Sequence, residues 1–363
     1  METPITPPTV SPIPEVLVKS SDFFNTLLYA GTSATWTAHS GLGFQPNFTW
    51  HKSRTSTGWH GFCDSVRGVD ASSGCKAVYS NSNNAEESST SEYLDGYQSD
   101  GFTVGLNGTF GANGEDYAAW CWKMGTSSGI TTNGSTNITP LGYSFNATAS
   151  QSIIYYNGNQ TGGDKVPHGL GVKPDLIIVK DVVDANSWNV YHVSNGATKY
   201  MLLDSSETVN TNTNRWNDTE PDSVNFTLGA SAAVNGNDNN YIAYCFANKR
   251  GYSRAGKYTG DGASSGQFIY TGFKPSFILV KCETHAEPWL LWDNKRAGYN
   301  VKNYRLNPNQ NVVENTSDEI DLLSNGFKFR SSGAHLNGDG RSYIYMAFGQ
   351  SIVGTNNVCA TAR

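Results

Sequence analysis

The decapeptide "GFQPNFTWHK" at residues 43–52 recurs with substitutions as "GVKPDLIIVK" at 171–180 and "GFKPSFILVK" at 272–281. Pro46, Pro174 and Pro275 keep one offset from Lys52, Lys180 and Lys281, so the match is not a single drifting proline. A tryptophan follows each lysine: Trp59, Trp188 and Trp289. Each copy then reaches an Asx-Gly turn ("NGED", "NGNDNN", "NGDG") and an aromatic run, "DYAAWCW" at 116–122, "NYIAYCF" at 240–246 and "SYIYMAF" at 342–348. Features that recur in constant order mark internal repeats. "DLIIVK" and "SFILVK" read as short buried strands, with the proline defining where pairing begins. The lysine reads as a surface cap whose stem covers apolar neighbours. Alternate aromatics in the closing runs suit a strand with two dissimilar faces.

Working outward, a segment of about 100 residues can bury a core of its own. The predicted class is all-β: three tandem antiparallel β-sandwich repeats, jelly-roll-like, behind an extended Pro-rich N-terminal arm. The predicted boundaries are 1–22 for the arm, 23–124, 151–252 and 253–350 for the repeats, 125–150 for a linker or hairpin, and 351–363 for a tail. The spacer at 125–150 predicts that the first repeat sits apart, while the second and third, joined by "KRGYSRAGKYTGDG", pack closely.

Composition agrees with this class. Only 15% of the 363 residues are charged, 12% are aromatic, and there are 38 glycines, which suits many short strands joined by tight turns. The net charge of −6 argues against a nucleic-acid partner, which needs a basic face. No apolar run approaches the ~20 residues that span a bilayer, so membrane insertion is not expected. The N-terminus, with five prolines in its first fourteen residues, lacks the basic start and apolar core of a secretory signal. It reads as a polyproline-like arm, either a plain tail or a tether that docks on a partner. Six cysteines at 63, 75, 121, 245, 282 and 359 have no metal-ligand spacing, and buried reduced thiols are the default, with a Cys63–Cys75 bridge as the alternative.

No catalytic motif emerges, and no catalytic residue, cofactor or metal is assigned. "HGLG" at 168–171 has the look of an oxyanion loop, yet "SGLG" at 40–43 copies it in the first repeat, which marks it as turn structure. The seven histidines are scattered singly. The Asx-rich loops offer oxygen ligands to calcium but match no complete loop motif, and hairpin turns explain them without metal. One pattern is more specific: "CDSVR" at 63–67 and "WDNKR" at 292–296 share D-x-x-R at the separation of Lys52 and Lys281. Asp64–Arg67 and Asp293–Arg296 are either ion pairs that fix a strand end or, with Trp59, Trp289 and Trp292 nearby, contacts for a glycan or protein partner. The second repeat breaks the pattern with "WNVYHVSNG" at 188–196, placing His192 where Asp64 falls.

The segments "GLGVKPDLIIVK", "RWNDTEPDSVNFTLG", "YIAYCFANKRGYSRAGKYTGDG", "FIYTGFKPSFILVK" and "LLSNGFKFR" resemble a repeat family of tailed-bacteriophage virion structural proteins, tail-fibre-like and frequent in cyanophages and other aquatic phages. The resemblance covers nearly the whole chain, is closest in the second and third repeats, and transfers no catalytic residues. It implies a non-enzymatic virion protein on the particle exterior, assembled in the host cytoplasm, foremost a tail fibre or appendage contributing to host-surface adhesion. A capsid decoration protein is the alternative, and a polysaccharide depolymerase is a further one. The implied partners are other virion proteins, through the arm, and a host surface glycan, with the chain a homo-oligomer in the particle.

Overall fold

A computed structural model describes residues 19–70, 74–89, 93–296, 300, 304–317 and 319–353. The chain is all-β, with several antiparallel sheets. Three sheets carry the same pairing at their centre. In the first segment the opening strand Phe24–Ala30 pairs with the closing strand Asp116–Trp122, which pairs with the proline strand Phe48–Ser53 and then Gly61–Asp64. The second repeats this with Gln151–Asn157, Asn240–Phe246, Leu176–Asp181 and Asn189–His192. The third does so with Ser253–Thr259, Ser342–Ser351, Phe273–Cys282 and Leu290–Asp293. Smaller sheets accompany them: Thr37–Ser40, Gly101–Val104 and Leu94–Gln98; Lys165–Pro167 and Asn225–Thr227; Phe268–Tyr270, Gly326–Phe329 and Ile320–Leu323.

The glycine that opens each decapeptide has a backbone reason. Gly43, Gly171 and Gly272 take φ of 86°, 72° and 83°, a region that side chains disfavour. Gly41 and Gly169 are also at positive φ, so "SGLG" and "HGLG" are matching turns.

Side-chain alternation along the closing strands explains why both faces of the large sheets are apolar. Tyr117, Ala119 and Cys121 enter a core within the first segment, while Ala118, Trp120 and Trp122 enter a second core shared by all three segments. In the second segment Tyr241, Ala243 and Cys245 face its own core, and Ile242, Tyr244 and Phe246 the shared one. Tyr343, Tyr345 and Ala347 divide in the same way from Ile344, Met346 and Phe348. At equivalent positions of the closing strands Trp122, Phe246 and Phe348 form a triangle, with ring centroids 6.1, 5.6 and 5.2 Å apart. On the opposite faces stacked tyrosine pairs repeat: Tyr29–Tyr117, Tyr156–Tyr241 and Tyr258–Tyr343 at 5.2, 5.3 and 4.9 Å.

The first segment therefore does not sit apart, because its Phe24, Phe48, Trp50, Phe62 and Trp122 belong to the shared core with residues of the other two. Backbone hydrogen bonds join the segments in a cycle: Glu86 N to Val182 O at 3.0 Å, Val209 N to Glu283 O at 3.0 Å, and Glu314 N to Arg54 O at 2.9 Å. Arg54, Val182 and Glu283 each follow their lysine by two residues. The buried Gln151 ties the second segment to the first, donating to Phe23 O and Lys123 O, and accepts from Tyr252 OH at the junction with the third. Part of the 125–150 spacer is an edge strand, Gly142–Asn146, paired antiparallel to Gln151–Asn157. Residues 1–18 of the arm and 354–363 of the tail lie outside the described residues.

Two further expectations are corrected. Lys52, Lys180 and Lys281 are buried, not surface caps, because each lies where one segment packs on another. Cys63 and Cys75 form a disulfide, closing the loop between two adjacent strands, while Cys121, Cys245 and Cys282 are buried thiols.

With a shared core, unfolding should be one cooperative calorimetric transition, and separate transitions would show that the segments fold independently. Phe348→Ala, which opens the ring triangle, should cost about 3–5 kcal/mol in chemical denaturation.

Candidate functional site

Six of the seven residues singled out from sequence are buried, which removes them as glycan or partner contacts: Asp64, Arg67, Trp289, Trp292, Asp293 and Arg296. The two D-x-x-R elements are instead struts between segments. Asp64 Oδ1 accepts from the backbone N–H of Val66 and Arg67, and its Oδ2 accepts from Arg67 Nε at 2.7 Å and from Tyr244 OH of the second segment at 2.9 Å. Asp293 repeats this, with Lys295 N and Arg296 N on Oδ1, and Arg296 Nε at 2.5 Å and Trp120 Nε1 of the first segment at 3.0 Å on Oδ2. Burial favours the neutral acid, but the Arg296 charge and these hydrogen bonds hold the Asp293 carboxyl below its usual range. Each guanidinium also reaches a second acid, Glu86 at 3.3 Å and Glu314 at 3.0 Å.

Trp120, Tyr244 and Met346 occupy one position of the closing strands. Met346 carries no donor, and by the cyclic order of the Tyr244–Asp64 and Trp120–Asp293 bonds its counterpart in the second segment is His192 rather than an aspartate. The Nδ1 of His192 accepts from Ser194 N at 3.2 Å, so Nε2 bears the proton and donates to Tyr345 O at 3.2 Å. Asn195 stands in place of the arginine, and Val209 in place of Glu86 and Glu314. Burial, only partly opposed by the bond to Tyr345 O, lowers the His192 pKa to about 4. The whole polar network has thus been exchanged for a neutral one.

The three buried lysines form a second equivalent set. Lys52 Nζ donates to Ser53 O and Ser56 O, Lys180 Nζ to Asp181 O and Asp184 O, and Lys281 Nζ to Cys282 O and Ser206 O. Burial pushes each pKa down to about 8.

Trp59 alone among the predicted residues is partly exposed, and the reason is a one-residue offset. Trp188 and Trp289 directly precede the strands Asn189–His192 and Leu290–Asp293 and are buried, their Nε1 donating to Tyr79 O and Leu202 O of the neighbouring segment. The residue preceding Gly61–Asp64 is His60, buried in the same place and accepting from Trp50 Nε1 at 3.1 Å. Adjacent residues of an extended chain point to opposite sides, so Trp59 faces out.

There Trp59 lines an open groove with Tyr79, Tyr93, Glu87, Glu115 and Asn107, holding about 510 Å³. Trp59 meets Tyr79 edge-on at 4.8 Å, and Tyr93 OH donates to Glu87 Oε2 at 3.1 Å. Glu115 Oε2 accepts from Ser56 Oγ at 2.6 Å and Tyr117 OH at 2.9 Å. Burial opposes ionisation of Glu115, but the hydroxyl bonds and the Lys52 charge outweigh it and keep the group a carboxylate. Sequence spacing gives no sign of this assembly, because its residues come from separate turns. The usable signal is that Trp59 is one place out of step with Trp188 and Trp289.

A family model, DUF7483, described as a domain of unknown function, matches residues 19–351. The chain belongs to the DUF7483 family. No curated protein and no solved structure matches it. The DUF7483 match runs unbroken through all three segments, as does the shared core. Among the described residues no group of three or more His, Cys, Asp or Glu is placed to hold a metal ion, and no helix is long and apolar enough to cross a membrane. The Asx loops are engaged structurally: buried Asn235 donates to Thr161 O and Gly229 O, and Asn337 to Asp261 Oδ1 and Ala263 O.

His192→Asp should cost about 3–5 kcal/mol, because it buries a charge facing Met346 with no arginine beside it. Adding Met346→Tyr should recover part of that loss in a double-mutant cycle. The pH dependence follows from the same burial. Unfolded lysine titrates near 10.5 and folded near 8, so the folded state sheds its protons first and stability rises between pH 8 and about 10. His51, His168 and His192, at about 3, 4 and 4, work at the acid end: below pH 6.5 the unfolded chain gains protons that the folded chain refuses, and stability falls. Urea midpoints against pH test both windows, and Lys180→Met should flatten the alkaline rise.

Proposed function

We propose that this DUF7483 chain is a non-enzymatic structural protein on the exterior of a tailed-bacteriophage particle, a tail-fibre or appendage component contributing to host-surface adhesion. In this reading it is built from three copies of one jelly-roll-like sandwich unit. The observation that carries the proposal is the fate of the D-x-x-R elements and lysines. The charged side chains most suggestive of chemistry are spent holding segment to segment, which suits a rigid display body whose outer loops meet other molecules. The sequence resemblance to phage virion proteins supplies the setting, by analogy. The Pro-rich arm is proposed to engage other virion proteins, and the chain to act as a homo-oligomer in the particle.

One observation favours a second reading, decoration of the capsid. The cycle of contacts closes within a single chain, so three copies are not needed to cover the inner sheet faces. Antibody labelling of purified particles decides between the two. Signal on the tail supports the fibre, signal on the icosahedral shell supports decoration, and its absence from particles overturns the virion assignment. The depolymerase alternative predicts new reducing ends when the protein is incubated with host polysaccharide, and their release would overturn the non-enzymatic reading.

A further inference from the structure

We infer that the Trp59 groove is a carbohydrate subsite selective for neutral or amino sugars over acidic ones. The inference rests on the adhesion reading and gives it a place and a ligand class. Its volume of about 510 Å³ lies within the range of small-molecule sites, about 300–1,000 Å³. Sugar rings present C–H faces that pack on aromatic planes and hydroxyl edges that need fixed acceptors. Trp59, supported edge-on by Tyr79, supplies the plane. Glu87 and Glu115 supply the acceptors, and Asn107 an amide that both donates and accepts.

The acceptors are pre-organised. Tyr93 holds Glu87, and Ser56 and Tyr117 both hold Oε2 of Glu115. Charge sets the selectivity. Among the described residues the lining contains two acids and no lysine or arginine, so a uronate or sulfate would meet like charge without compensation. An ammonium on a hexosamine would meet opposite charge.

Two other openings among the described residues lack this combination. The space inside the shared core is apolar and only about 20 Å³. The groove beside Ser20, Asn25 and Asn294 offers mainly small polar groups with no tryptophan or carboxylate.

The test is titration of the full chain, by calorimetry and saturation-transfer NMR, with cello-oligosaccharide, chitosan oligosaccharide and oligogalacturonate. The expected result is binding of the first two and none of the third. Trp59→Ala should weaken binding roughly tenfold while Trp59→Phe retains most of it. Glu115→Gln and Glu87→Gln should weaken chitosan-oligosaccharide binding and admit oligogalacturonate. Preference for oligogalacturonate, no binding of either other probe, or binding indifferent to Trp59→Ala in a folded variant would overturn the inference. Particle labelling keeps the two readings separable. A tail-located chain without sugar binding here defeats the groove alone, and sugar binding by a chain absent from particles defeats the virion assignment alone.

Discussion

The triangle of Trp122, Phe246 and Phe348 sets the terms for everything around it. Trp122 and Phe246 end their closing strands, Phe348 holds the equivalent place in Ser342–Ser351, and each ring touches the equivalent rings of the other two segments. A closing strand so placed has no wet face. Its outer side covers a core within the segment and its inner side covers the shared core, so an unpaired charge there has no water to turn to. That requirement explains three lysines donating to carbonyls and two aspartates receiving four or more hydrogen bonds each. It also explains a histidine held neutral in a place where its relatives are acids.

The second segment shows how such a network changes. Removing one partner of a buried pair leaves a charge with nowhere to go, whereas replacing all partners together leaves none. Asp to His, Arg to Asn, Glu to Val and a ring donor to methionine form a consistent set spread over two segments. The turn geometry survives because the Nδ1 of His192 takes the backbone N–H that a carboxylate oxygen takes in the other two. The exchange costs little because Tyr345 O is a backbone acceptor, available whatever side chain follows it.

Much of the architecture was legible in the sequence because strand signals are local. The decapeptides, their lead glycines and the alternating closing runs each report a backbone need or a two-sided burial within a few residues. Where the segments meet each other was not legible. Lys180 beside "DLIIV" looks like a strand end meeting water, and only the neighbouring segment turns that end into interior. D-x-x-R looks equally like a binding pair and a strut until Tyr244 and Trp120 arrive from other segments. The spacer at 125–150 suggested independence, yet spacer length says nothing about which surfaces need covering. The Cys63–Cys75 bridge likewise joins positions whose closeness depends on strand pairing rather than on spacing.

The Trp59 groove stands at the boundary between these two kinds of legibility. Its aromatic is visible in the sequence as a candidate contact, but on the same footing as Trp289 and Trp292, which are buried. The difference lies in one residue. His60 fills the interior position with a smaller ring that still accepts from Trp50, and this leaves the neighbouring tryptophan on the outer side of the chain. The shared core needs some ring at that position, while nothing in it needs a second ring directly outside. Trp59 packs partly against the core of the first segment beside Tyr79, and the rest of its ring faces the groove. Seven of the nine tryptophans are buried and Trp36 and Trp59 keep part of their rings outside, so the offset at His60 decides on which side of the chain the Trp59 ring stands.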